Sequence, residues 1–177
     1  MLETIVPALL LVQGVLGGLD TLINHEWIEH LPQRRDARTE IGLHALREAN
    51  YGLLFVGFAW FEWHGLFALA IAVLVLGEIA ITAFDEYVEN RFRVLPNNER
   101  VMHVFLTLNL GAIATALVPT LHAWVSQPTE IVPVYHGWLS WSLSLLGVAG
   151  ATWSVRDALA WRRLRWGAQY PVIRGTQ

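Results

Sequence analysis

Long apolar runs alternate with short polar turns along this chain, and the polar residues gather at alternate ends of the runs. Five segments, 5–30, 40–63, 66–93, 99–124 and 138–161, are each long enough to cross a hydrocarbon core that needs about 20 helical residues. The pattern predicts an all-α polytopic membrane protein. Its two polar concentrations are related. Residues 20–44 read DTLINHEWIEHLPQRRDARTEIGLH, and residues 83–103 read AFDEYVENRFRVLPNNERVMH. Each contains a Leu-Pro turn, Leu31-Pro32 or Leu95-Pro96, followed by Glu-x-x-x-His, Glu40 with His44 or Glu99 with His103. Residues four apart share a helix face. The chain is therefore expected to repeat one helical hairpin, residues 1–63 and then 64–124, in a four-helix bundle within a single domain, 1–177. An accessory fifth helix, 137–161, and a cytoplasmic tail, 162–177, complete it.

Composition agrees with a membrane class: 54% of the 177 residues are hydrophobic, 15% are charged, and the mean hydropathy is +0.41. All twelve basic residues are arginine. Arg34, Arg35, Arg38 and Arg47, then Arg91, Arg93 and Arg100, then Arg156, Arg162, Arg163, Arg165 and Arg174 fall on one side of a five-span chain. The opposite turns, 62–65 and 122–137, contain none, so the N-terminus is expected outside and both polar turns in the cytoplasm, as in a bacterial inner-membrane protein. Glu3 and the lack of an Ala-x-Ala site argue against a cleaved leader. The absence of cysteine excludes disulfides, iron–sulfur clusters and thiolate zinc sites. The arginines read as topology signals, so a nucleic-acid partner is not expected.

Counting from the outer end of each span at ~1.5 Å per residue puts His25 or Glu26, His44, Asp85 and His103 in one layer at roughly 28–31 Å. Glu29, Glu40, Glu89 and Glu99 follow at roughly 34–36 Å, with Asp20 and Glu48 one turn toward the outside. Carboxylates and imidazoles at that depth are costly to keep as bare charges. A pair of divalent cations resolves the problem, and oxygen donors with a few imidazoles and no thiolate match Fe, Mn or Zn, with Fe the expected metal. The expected ligands are His25, Glu26, Glu29, Glu40, His44, Glu48, Asp85, Glu89, Glu99 and His103. Asp20 is expected to relay protons, and Arg47 to partner a ligand carboxylate. Asp36 or Thr39 is expected to cap the second helix, and Asn97 or Asn98 the fourth. Gly111, Ala112, Ala114 and Ala116 are expected to admit a neighbouring helix closely. The loop 122–137 should cover the outer mouth, where Glu62, His64, His122 and His136 read as solvated residues.

Two hairpins with a carboxylate on the first helix and a Glu with a His on the second resemble the ferritin-like di-iron carboxylate proteins, over the first four helices. The spacing departs from that family's Glu-x-x-His. The resemblance implies a di-iron oxidoreductase of oxidase, hydroxylase or desaturase type, acting on a lipid-soluble substrate in the bilayer with a cytoplasmic electron-donor protein. The run LHALREANYGLLFVGFAWFEWHG is also similar to an uncharacterised bacterial integral membrane family, from which no activity follows. The alternatives are a zinc-dependent lipid hydrolase using His25, His44 and His103, a haem carrier with His44 and His103 as axial ligands, or a metal or ion transporter.

Overall fold

Backbone polar groups within long apolar runs must find partners inside the chain, and a helix supplies them locally, so each long run closes into a helix. The computed structural model describes residues 4–92 and 94–166. It places α1 at Ile5–Asp20, α2 at Arg38–Trp60, α3 at Leu66–Phe92, α4 at Asn97–Val125 and α5 at Trp138–Trp166. Three stretches, Ile5–Ile28, Leu66–Arg91 and Asn97–Val125, are long and apolar enough to cross a membrane. Helices α2 and α5 are long but more polar. Helix α5 runs five residues past its expected end and takes in the start of the expected tail. Arg93, Arg174 and the rest of that tail lie outside the described residues.

Helix α1 does not end at Asp20. It continues as a π-helical stretch, Thr21–Ile28, until His30 takes a left-handed conformation (φ 50°) and Leu31–Gln33 form a single tight turn. Pro32 sits in that turn, where its missing N–H is harmless. None of the expected caps is used: Ala37 and Pro96 precede α2 and α4, and neither helix has a side-chain cap. The candidate cap Asp36 instead pairs with Arg34, and Asn98 donates to Asn24.

Helix α1 packs on α4, α4 on α3, α3 on α2 and α2 on α1, so the four close a ring. The apolar end of the ring is filled by Leu10, Leu54, Phe58, Ile71, Ile113 and Leu117. These recur at helical spacing on the same faces that carry the polar cluster farther along, as with Ile113, Leu110, His103 and Glu99 on α4. Helix α5 lies outside the ring against α1 and α2, and its most extensive contact is with α2. It is more than an accessory. At Gly150 an added Cβ would stand 3.1 Å from Glu48 O, and at Gly147 2.6 Å from Val56 Cγ2, so small residues let the α2 and α5 backbones meet. That close approach was expected on α4, where Gly111 has nothing within 4 Å of an added Cβ.

A short antiparallel pair, β1 (Phe61–Trp63) with β2 (Ile131–Pro133), ties the α2–α3 turn to the long loop and covers that end. Gly65 (φ +57°) is required there, because an added Cβ would lie 2.4 Å from Thr129 Oγ1. His64, expected to be solvated, is 5% exposed and lies 2.9 Å from Glu62 through Nε2. The strand pair draws it in.

Candidate metal centre

The π-helical winding decides what the first helix offers. Asp20 and His25 are five residues apart, a spacing that an α-helix turns about 140° away from one face. Hydrogen bonds from i to i+5, such as Glu29 N–H to Asn24 O at 2.8 Å, bring residues five apart into line. Asp20 and His25 are both buried, with His25 Nε2 at 3.5 Å from Asp20 Oδ2. Asn24, between them, donates to Asp20 Oδ1 at 2.6 Å and accepts from Asn98 on α4 at 2.5 Å.

On the other three helices ordinary α spacing suffices. Glu40 and His44 face inward from α2, Asp85 and Glu89 from α3, and Glu99 and His103 from α4, none more than 9% exposed. His44 Nε2 lies 3.3 Å from Asp85 Oδ2 and 4.0 Å from Glu89 Oε1. His25 Nε2 lies 3.5 Å from Glu99 Oε1. His103 joins the two sides: its Nε2 is 3.4 Å from Asp20 Oδ2, and its Nδ1 is 2.9 Å from Glu86 and 3.4 Å from Glu89. The His25 and His44 rings stack at 4.4 Å between centroids.

The donor set fits a cation. Asp20, His25 and His103 form one group whose donor atoms lie within 4.8 Å of one another; Glu40, His44 and Glu89 form a second, and Glu86, Glu89 and His103 a third. Ligands about 2.0–2.2 Å from a shared ion stand up to about 4.4 Å apart, so small side-chain shifts would complete each group. Both ring nitrogens of His25, Nε2 of His44, Nε2 of His103 and Oδ1 of Asp85 are buried without a hydrogen-bond partner among the described residues. Buried polar atoms are ordinarily satisfied, and these five lie together in one cluster.

The remaining expected residues go elsewhere. Glu29 pairs with Arg34 at 2.6 Å, and Arg34 also binds Asp36 and holds that carboxyl below the usual range by hydrogen bonding. Glu26 pairs with Arg156 of α5, which also binds the buried Asp157. Glu48 lines a neighbouring cavity, with Oε2 lacking a hydrogen-bond partner among the described residues, and stands outside the three groups. His30 is exposed at the helix end. Asp20, expected to relay protons, falls in the first of the three groups. Arg47 reaches Asp85 at 3.0 Å and Glu78 at 3.3 Å, and Asn50 donates to Glu78 at 2.9 Å, so the fully buried Glu78 is held by two side chains. Arg91 turns outward to Tyr87. Sequence reasoning passed over Glu86 and Asn24. Each carried a signal in its spacing, Glu86 three residues before Glu89 and Asn24 four residues after Asp20.

Beside the cluster lies a cavity of ≈ 220 Å³, bordered by Asp20, His25, His44, Asp85, Glu86 and His103, by Arg47, Glu48 and Glu78, and by mostly apolar and small residues of the surrounding helices. Compared with family models, with curated proteins and with solved structures, the chain has no match.

Proposed function

We propose that this chain is a polytopic membrane four-helix bundle, built from two hairpins with α5 alongside, that holds two divalent metal ions, iron in the first place, and oxidises a lipid-soluble substrate with dioxygen. The observation that carries the reading is the convergence of three buried imidazoles with unsatisfied nitrogens on five buried carboxylates from four helices. Asp20, His25, Glu99 and His103 would hold one ion, and Glu40, His44, Asp85 and Glu89 the other. Two irons bound there would supply the redox change that dioxygen activation needs. The chain's own part is positional. Glu86 orients the His103 ring through Nδ1, Asn24 fixes Asp20, and Arg47 steadies Asp85; such outer contacts typically govern metal affinity by 10–100-fold. The apolar end of the ring keeps bulk water from the cluster. The arginine distribution supports an orientation with this end toward the cytoplasm, where an electron-donor protein would dock.

Elemental mass spectrometry of detergent-purified protein tests the reading. About two irons per chain are expected, falling by at least one in His44→Ala and in His103→Ala. Protein produced with ample iron, manganese and zinc that carries no stoichiometric metal would overturn it. Stoichiometric zinc would replace oxidation by hydrolysis.

A further inference from the structure

Helices α1 and α5 touch, part, and meet again. At Gly14 an added Cβ would lie 2.5 Å from Leu146 Cδ1, so the two helices are in close contact there. One turn along, at Gly17 and Gly18, an added Cβ would meet nothing within 4 Å. The gap closes where Arg156 of α5 pairs with Glu26 in the π-helical stretch. Between Leu146 and Arg156 a helix rises roughly 15 Å, which sets the length of the opening.

This opening leads into the cavity whose inner wall is His25, His44, Asp85 and His103, with Arg47, Glu48 and Glu78 also lining it. Its rim is apolar and exposed: Leu22 is 50% exposed, and Gly18 and Ala149 are exposed beside it. Its back wall is Tyr51 and Phe55, which are 9% and 5% exposed. His25, 5% exposed with neither ring nitrogen hydrogen-bonded among the described residues, borders the space at its polar end. A water-soluble molecule gains nothing by crossing such a rim, whereas an alkyl chain leaves one apolar surrounding for another. The gap also lies between apolar stretches that would face acyl chains.

We propose that the window between α1 and α5 admits an unbranched alkyl chain from the bilayer to the metal centre, with Gly17 and Gly18 setting its width. The proposal rests on the metal-centre reading for its purpose and on the cavity alone for its geometry. Photolabelling in lipid nanodiscs tests it. The probes are a fatty acid with a terminal diazirine and a phosphatidylcholine carrying the same chain, with metal content measured in every sample. Label is expected on Tyr51 and Phe55, which lipid around the helices does not reach. It should fall at least tenfold in Gly17→Leu and Gly18→Leu, and stay unchanged in Gly111→Leu, where an added side chain is equally free but far from the window. Label from the free acid alone assigns fatty acids as the chain's source, and label from both probes assigns membrane lipid. No label on Tyr51 and Phe55, or label undiminished in both window variants, overturns the proposal. Protein without metal whose label still falls in those variants would keep the window and remove the oxidase.

Discussion

The two hairpins reach the same arrangement by different windings. Aligned on Leu31 and Leu95, His25 and Glu89 stand at the same distance before the turn, whereas Asp20 lies one residue farther out than Asp85. Helix α3 is regular, and its Asp85 and Glu89, four apart, share a face. The first hairpin carries one more residue between its two inward groups, and the π-helical stretch absorbs it, so that Asp20 and His25 also share a face. What the repeats hold in common is the placement of donors, and the helix type yields to it. A π-helical winding is uncommon and recurs at functional sites, which fits a stretch held by Asn24 bridging Asp20 and Asn98.

Removing one residue from each hairpin tests this contrast most severely. Ile23 and Tyr87 are both exposed, at 41% and 56%, so neither deletion removes a core side chain. Deleting Tyr87 turns the apolar part of α3 about 100° relative to Glu89 and carries Glu78 away from Arg47. Loss of folded protein, seen as a collapsed size-exclusion profile, and loss of metal are expected. Deleting Ile23 removes the extra residue, the winding relaxes to an α-helix with Asp and His four apart, and metal content should survive with the melting temperature changed by only a few degrees. Equal damage from both deletions would mean that the π winding stores nothing.

A smaller effect separates the deep polar residues of the second hairpin from the first. Arg47→Leu leaves Glu78 and Asp85 without their guanidinium in the interior, and breaking such a pair costs about 3 kcal/mol or more. Unfolding in mixed micelles titrated with dodecyl sulfate measures it. A change under about 1 kcal/mol would show that these carboxylates do not depend on Arg47. The smallest effect is expected at Glu29, paired with Arg34 at the edge of the first turn: Glu29→Gln should cost about 0–1 kcal/mol in the same titration and leave metal content unchanged. Glu89→Gln, at a fully buried position in the second repeat, should lower metal content by at least one ion per chain.

Much of the candidate site was legible because α-helical periodicity is rigid. Glu40 with His44, Asp85 with Glu89 and Glu99 with His103 share faces by spacing alone, and counting depth from the outer ends put them in adjacent layers. The same count could not exclude Glu26 and Glu29, because depth says nothing of the direction in which a residue faces: one pairs with Arg156 and the other with Arg34. Glu48 follows His44 by one turn, yet the drift of 3.6-residue periodicity and the presence of α5 turn it to the cavity. Helix α5 looked peripheral because it carries few ionisable groups, but its glycines determine how closely it packs on α2, and glycine contacts leave no signature in hydropathy.

The sequence by itself determined the helical class, the long apolar runs, the repeated hairpin and the residue types available for a site, since these depend on local periodicity and side-chain chemistry. Only the tertiary structure decided which of Asp20, His25, Glu26, Glu29 and His30 face inward, that Asn24 and Glu86 join them, and that α1 and α5 part at Gly17 and Gly18. Those choices depend on a one-residue change of winding and on the distance between two backbones. Both follow from packing between segments remote in sequence, a quantity that no single helix encodes.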